Sequence, residues 1–283
     1  MAVRTLLITT GGTISCLDGP DGLTPVLTGA DLLAKSDFSC DYLDFKLIDS
    51  SVMSDEQRGE LAQLIWSKRE EYDSFVVTHG TDSMAYTAAY LDCAFAGLDK
   101  AVILTGSQLP ISYPGTDALD NLNLALETAI AGHAPGVYIA FAGKLLPGHA
   151  ATKLETEDFS AFDSVAGWSP LEQTVAEPHL REVVVPKVGI IHITPALPTE
   201  IILAYANMDA VLVLVLGAGG MPEQWVKALK KLELLDVKVY IKSQCLYGSV
   251  EQKYAAHGAA RAFPSINNTS IEYAVYSIMF GLV

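Results

Sequence analysis

Positive charge is scarce in this sequence. Lysine and arginine number 18 against 33 aspartate and glutamate, for a formal net charge of −15. No Lys/Arg cluster breaks the pattern, since Lys227, Lys230 and Lys231 fall on the polar side of one expected helix. A nucleic-acid or anionic-membrane partner is therefore excluded as a reading. Cysteine is equally sparse. Cys16, Cys40, Cys93 and Cys245 have neither metal-ligand nor redox-pair spacing. The longest apolar run, Ala210 to Gly220, is too short to span a bilayer. No secretory hydrophobic region follows Met1-Ala2-Val3-Arg4. These absences lead to the expectation of a soluble cytoplasmic protein with reduced thiols. Repeats and low-complexity tracts are also missing.

What is present is a globular composition. Half of the 283 residues are hydrophobic and 18% are charged, enough for a sizeable core and unlike a disordered chain. That length favours two domains. Short apolar runs alternate with segments of helical period. Strands are expected at 4–9, 45–49, 74–78, 101–105 and 136–142, and helices at 29–36, 55–71, 82–96 and 117–132. This alternation predicts an α/β fold with a mainly parallel sheet and flanking helices. The period is lost over 167–186, around Trp168-Ser169-Pro170, Glu177-Pro178 and Pro186. It resumes with strands at 187–193, 210–216 and 237–242 and helices at 198–207, 222–233 and 269–280. The expected organisation is a larger N-terminal α/β domain over 1–166, a linker over 167–186 and a smaller C-terminal α/β domain over 187–283. Gly217-Ala218-Gly219-Gly220 follows a strand but lacks the full dinucleotide fingerprint, so a tight turn is expected there. Asn268 or Thr269 is the expected cap of the last helix.

Two Thr-Gly runs carry the chemistry. Thr10-Gly11-Gly12-Thr13-Ile14-Ser15 follows the strand-like Thr5-Leu6-Leu7-Ile8, and Thr78-His79-Gly80-Thr81-Asp82-Ser83 follows Phe75-Val76-Val77. In an open α/β sheet the loops leaving the carboxyl ends of strands line the ligand crevice. A hydroxyl there, flanked by glycine amides, has the parts of a nucleophile with an oxyanion site. One such loop would be an ordinary turn; two in one domain suggest a two-threonine active site. Thr81 and Asp82 also suit the N-terminus of the following helix, and Lys153 by itself suits a solvated surface.

These segments resemble the two signatures of the bacterial-type L-asparaginases. The likeness continues through Asp49-Ser50-Ser51-Val52-Met53, Thr105-Gly106-Ser107-Gln108 and Thr152-Lys153. Near the C-terminus, Ser243-Gln244-Cys245 with Gly248 is similar to the cytosolic, type I-like branch. The resemblance implies a cofactor-free enzyme that converts L-asparagine to L-aspartate and ammonia. By matching motif, Thr13 is the nucleophile, and Thr81, Asp82 and Lys153 form a second catalytic cluster. Ser50, Ser51, Gly80 and Gly12 are implied as substrate-binding, with Asp82 also near the substrate's polar groups. A homodimer or homotetramer is implied, with Glu251 as a candidate to enter a neighbouring site.

The sequence departs from the family in the loop after the first motif. There the family carries a tyrosine, and Leu23 stands in the matching place. Thr24, Tyr42 or another tyrosine substitutes, or Lys153 does more of the work, or activity is weak. Three alternatives to asparaginase follow: an amidohydrolase acting on glutamine or another amide, the amide-hydrolysing subunit of a tRNA-dependent amidotransferase, and an amino-acid binding protein without turnover. The missing basic surface counts against the second, and the retention of both threonines, the aspartate and the lysine counts against the third.

Overall fold

The computed structural model describes residues 3–20, 22–165, 177–251 and 261–283. Two compact units are present. The larger contains the described residues up to Ser164 and those ending at Arg181; the smaller runs from Glu182 to Val283 and includes Val165.

The larger unit is built on β1 (Thr5–Gly11), β4 (Asp41–Ile48), β5 (Ser74–Thr78), β7 (Ala101–Thr105), β8 (Gly136–Phe141) and β9 (Lys144–Pro147). Their order across the sheet is β4-β1-β5-β7-β8-β9. All pairings are parallel except β8 with β9. Counting only the parallel strands in chain order, the arrangement reads 2-1-3-4-5. Connections leave β1 toward one edge and β5 toward the other, which opens a crevice at the carboxyl ends of these two neighbours. The central strands β1, β5 and β7 are wholly buried and read as near-continuous apolar runs because both faces are covered. Leu7, Val76, Ile103 and Ala140 pack under Leu122, Ala125, Leu126 and Ala129 of helix α4 (Ala118–Ile130).

Helix starts are set by side-chain chemistry. Thr28 opens α1 (Gly29–Leu33) in a reciprocal capping box with Asp31, and Ser54 opens α2 (Asp55–Lys68) in one with Gln57. Helix α3 (Met84–Ala94) starts at Ser83, which makes no side-chain cap. Asp82, whose position suited a cap, is free for other contacts. Three pieces escaped the sequence pattern. A hairpin of β2 (Cys16–Gly19) and β3 (Gly22–Pro25) follows the first Thr-Gly run. The pair β10 (Ala151–Lys153) and β11 (Phe162–Ser164) carries Lys153. The short pair β6 (Phe95–Ala96) and β12 (His179–Leu180) places a strand inside the segment expected as linker. Residues 166–176 of that segment lie outside the described residues. Its described end is pinned, with Arg181 donating its backbone N–H to Ala94 O and its guanidinium to Cys93 O.

In the smaller unit β13 (Val188–His192), β14 (Ala210–Val215) and β15 (Lys238–Ser243) form a parallel three-stranded sheet. β14 is wholly buried, and its two-residue period sorts its side chains. Val211, Val213 and Val215 meet Trp225, Leu229 and Leu232 of α5 (Glu223–Glu233). Ala210, Leu212 and Leu214 meet Ala274 and Ile278 of α6 (Ile271–Met279) on the other face. Each large aliphatic chain so buried contributes roughly 1.5–3 kcal/mol. Ser270, one or two residues later than expected, caps α6 by accepting from Tyr273 N–H. Thr199–Tyr205 winds as a 3₁₀-helix in place of the expected α-helix. The Gly217–Gly220 segment is a tight turn closed by bonds between Leu216 and Gly220.

Candidate active site

The crevice at the ends of β1 and β5 is a cleft of about 190 Å³. Its wall includes Gly12, Thr13, Asp49, Ser50, Gly80, Thr81 and Asp82, and its roof Cys16, Leu23 and Pro25. All belong to the larger unit. Two segments 67 residues apart, Gly12-Thr13 and Gly80-Thr81-Asp82, thus share one cavity.

The floor is backbone against backbone. A Cβ placed on Gly12 would lie 2.3 Å from Gly80 N, and one on Gly106 would lie 2.3 Å from His79 O. A Cβ on Gly80 would meet Ser50 Oγ at 2.5 Å. Gly12 also has φ +78°, which favours glycine. The loops after β1, β5 and β7 are therefore held in contact by the lack of side chains. Thr13 begins the single 3₁₀ turn after Gly12, and among the described residues its hydroxyl has no hydrogen-bond partner.

Lys153 reaches the second cluster from β10. Its Nζ donates to Thr81 Oγ1 at 2.9 Å and to Asp82 Oδ1 at 2.8 Å. With that acceptance from lysine, the Thr81 hydroxyl points its own proton toward Gln108 Oε1, 3.4 Å away. Gln108 is held in turn by donation from its amide to the carbonyls of Thr156 and Asp158. The lysine side chain is mostly covered and the Asp82 carboxylate largely exposed, 19% against 65%. Asp82 therefore keeps lone pairs facing the cleft and solvent.

Ser50 is buried against Gly80, and its carbonyl accepts from Ser83 Oγ at 2.6 Å. Ser51 is exposed; its N–H donates to Asp49 Oδ1, and it is not among the residues lining the cleft. Asp49, which sequence reasoning passed over as a site residue, caps that turn and lines the cleft beside Ser50. Its signal was its place in the Asp49-Ser50 motif. Cys16 was also missed. Its thiol lies 3.4 Å from Gly12 O, and burial, reinforced by the Asp49 charge, raises its pKa.

The roof follows from hairpin parity. Cys16 pairs with Pro25 and Asp18 with Leu23, so these four side chains share one face. Leu17 and Thr24 share the other. Leu23 thus lines the cleft and Thr24 does not. Tyr42 packs on Gly29 and is absent from the lining as well. The hairpin is tied down by Tyr113, whose hydroxyl donates to Asp18 Oδ1 at 2.5 Å. Glu251 lies in the smaller unit, where its N–H donates to Ala218 O and its carboxylate accepts from Ser249 Oγ.

Comparison with known proteins bears on this arrangement directly. The family model "Asparaginase, N-terminal" matches residues 4–181, and "Glutaminase/Asparaginase C-terminal domain" matches 187–282. The chain belongs to the asparaginase family.

It is 29% identical to the L-asparaginase of Thermococcus kodakarensis over 88% of this chain and 82% of that one. The solved structure of that enzyme superposes with a TM-score of 0.88 at 28% identity, covering 99% and 92% of the two chains. L-asparaginase 1 of Escherichia coli K12 is 29% identical over 78% of this chain and 70% of its own. The crystal structure of L-asparaginase I from Vibrio cholerae O1 gives a TM-score of 0.84 at 26% identity, covering 100% and 93%. As a member of this family the chain is an amidohydrolase of the asparaginase type, with the larger domain N-terminal and the smaller C-terminal.

Proposed function

We propose that this asparaginase hydrolyses the side-chain amide of L-asparagine with Thr13 as nucleophile. The carrying observation is the cleft that joins an unengaged Thr13 hydroxyl to a Thr81–Lys153–Asp82 cluster across glycine-only contacts. The Thr13 oxygen adds to the amide carbon, and backbone N–H groups of the two Thr-Gly loops hold the oxyanion. Collapse breaks the C–N bond, releases ammonia and leaves an ester on Thr13. Water, directed by the Thr81–Lys153 pair, then cleaves the ester to give aspartate and the free hydroxyl.

The acidic wall suits an α-amino acid. Asp82 and Asp49 face the cleft as acceptors for the substrate ammonium, and Ser50 and the Gly80 backbone suit its α-carboxylate. One methylene is worth only ~1–3 kcal/mol of discrimination, so slower glutamine hydrolysis is expected beside asparagine hydrolysis. Amino-acid binding without turnover is the second reading, favoured by Leu23 where a proton-handling side chain would help. The proposal includes a homodimer or homotetramer, and a cytoplasmic setting supported by four free cysteines.

The test is ammonia release at saturating L-asparagine by the wild type and Thr13→Ala. The wild type is expected to turn over, with Thr13→Ala slower by a factor of ~10³ or more. Equal inertness of both on asparagine and glutamine, with aspartate still bound, would establish the binding reading instead.

A further inference from the structure

His79, in the second Thr-Gly loop, is fully buried against Met53 and Thr87, and burial lowers its pKa to about 4, so it is a neutral imidazole at pH 7. Such a ring is no acid or base for the reaction above, yet both of its nitrogens are engaged. Nδ1 lies 2.8 Å from Gly80 O, and Nε2 lies 2.9 Å from Thr87 Oγ1 and 3.1 Å from Met53 Sδ. A carbonyl oxygen only accepts, so the proton resides on Nδ1. Nε2 is then an acceptor, and Thr87 is the donor that faces it.

Arg58 holds Thr87 in place for that bond. Its Nε–H donates to Thr87 Oγ1 at 3.1 Å. A guanidinium has no acceptor and does not lose its proton, so the Thr87 oxygen receives from Arg58 through one lone pair while its hydrogen goes to the unprotonated Nε2. The Met53 sulfur, 3.8 Å from Thr87 Oγ1, is the weaker alternative. Arg58 is itself buried, with Nη1 bound to Met53 O at 2.9 Å and to Asp55 Oδ1 at 3.0 Å. A buried charge carries a desolvation cost, which a purely apolar contact between α2 and α3 would avoid.

The chain of donors ends at the active site. The peptide after Gly80 is planar and trans, so a fixed Gly80 C=O fixes the Thr81 N–H on the opposite side. Among the described residues that N–H has no partner, and Thr81 lines the cleft. We infer that Arg58, Thr87 and His79 form a one-way hydrogen-bond relay that positions the Gly80–Thr81 peptide, and with it the Thr81 N–H, for the reacting amide. These are positioning residues, and their effect on rate rests on the hydrolytic reading above.

The test combines histidine ¹⁵N NMR at pH 7 with ammonia-release kinetics, the His79 signals being assigned with His79→Gln. In the wild type His79 is expected as the Nδ1–H tautomer. Thr87→Val removes the donor to Nε2 and is expected to shift the tautomer equilibrium measurably toward Nε2–H, the Gly80 carbonyl alone then favouring Nδ1–H. It should lower kcat about tenfold, the worth of one well-placed hydrogen bond, with KM within about twofold. Thr87→Ser restores the donor and is expected to keep both wild-type readouts. Arg58→Lys keeps the charge but lacks the Nε–H, and serves as the second variant should Thr87→Val not fold. Its expected outcome is the same shift toward Nε2–H and the same loss of kcat. An Nε2–H tautomer in the wild type overturns the relay. So does a folded Thr87→Val or Arg58→Lys in which either readout stays at the wild-type value. A wild type that releases no ammonia refutes the proposed function alone, and the tautomer measurements then decide the relay.

Discussion

At the scale of single residues, Leu23 is the position that most limits the proposed chemistry. It shares a hairpin face with Cys16 and Pro25 and lines the cleft, yet it can neither donate nor accept a proton. Leu23→Tyr places a phenol on that same face. The expected outcome is an increase in kcat on asparagine on the order of tenfold or more, as a positioned proton carrier contributes. An unchanged kcat would show that Thr13 is activated from elsewhere. Thr13, Thr81, Asp82 and Lys153 were all legible because each sits in a short motif whose residues are neighbours in sequence. Their meeting was not legible, because it depends on strand order. Arg58 and Thr87 gave no signal at all: one is a charge inside an amphipathic helix, the other a helical threonine. Only the packing of α2 against α3 reveals that Arg58 holds Thr87 and Thr87 meets the imidazole.

At the scale of elements, capping and hydrophobic period predicted most of the helices and strands, and failed where local patterns are short. β10 and β11 have three residues each, too few for alternation to register. The β2–β3 hairpin is obscured by Gly19, Pro20 and Gly22, which read as loop. Thr199–Tyr205 has the apolar content of an α-helix, and Pro198 sets its start, yet it winds as 3₁₀, a choice on which apolar content is silent. Helix α2 provides a direct check on the cap. Ser54→Ala removes the acceptor for Gln57 N–H, and a stability loss of about 1 kcal/mol is expected in urea denaturation. A loss near zero would mean that packing of Leu61, Ala62 and Ile65 alone fixes the start of the helix.

At the scale of the whole molecule, the buried histidine opposes on the acid side the relief of self-repulsion that a chain of net charge −15 gains as pH falls toward its pI. Folded His79 titrates at about 4, whereas an unfolded histidine titrates near ~6.5. Between those values the unfolded chain binds the extra proton, so stability rises with pH across this window and is lost as pH falls through it. The wild type is expected to lose on the order of 3 kcal/mol between pH 7 and pH 4 from this group. His79→Gln is expected to show a flatter profile in urea midpoints measured at about pH 7, 5.5 and 4, values that span the window. Parallel profiles for the two proteins would assign the acid sensitivity to the carboxylates instead.

The glycine contacts beneath the cleft also determine where this enzyme can be remade. A Cβ on Gly12, Gly80 or Gly106 would lie 2.3, 2.5 or 2.3 Å from main-chain or Ser50 atoms, so a randomised library over the floor is expected to return inactive clones at these positions whatever substrate is screened. The roof is different. Leu23 and Pro25 reach the cavity by side chain alone, from a hairpin fastened at Asp18 to Tyr113. Diversity spent on that ribbon changes the shape of the lid while leaving the reacting groups in register, and it is there that a new amide preference can be selected.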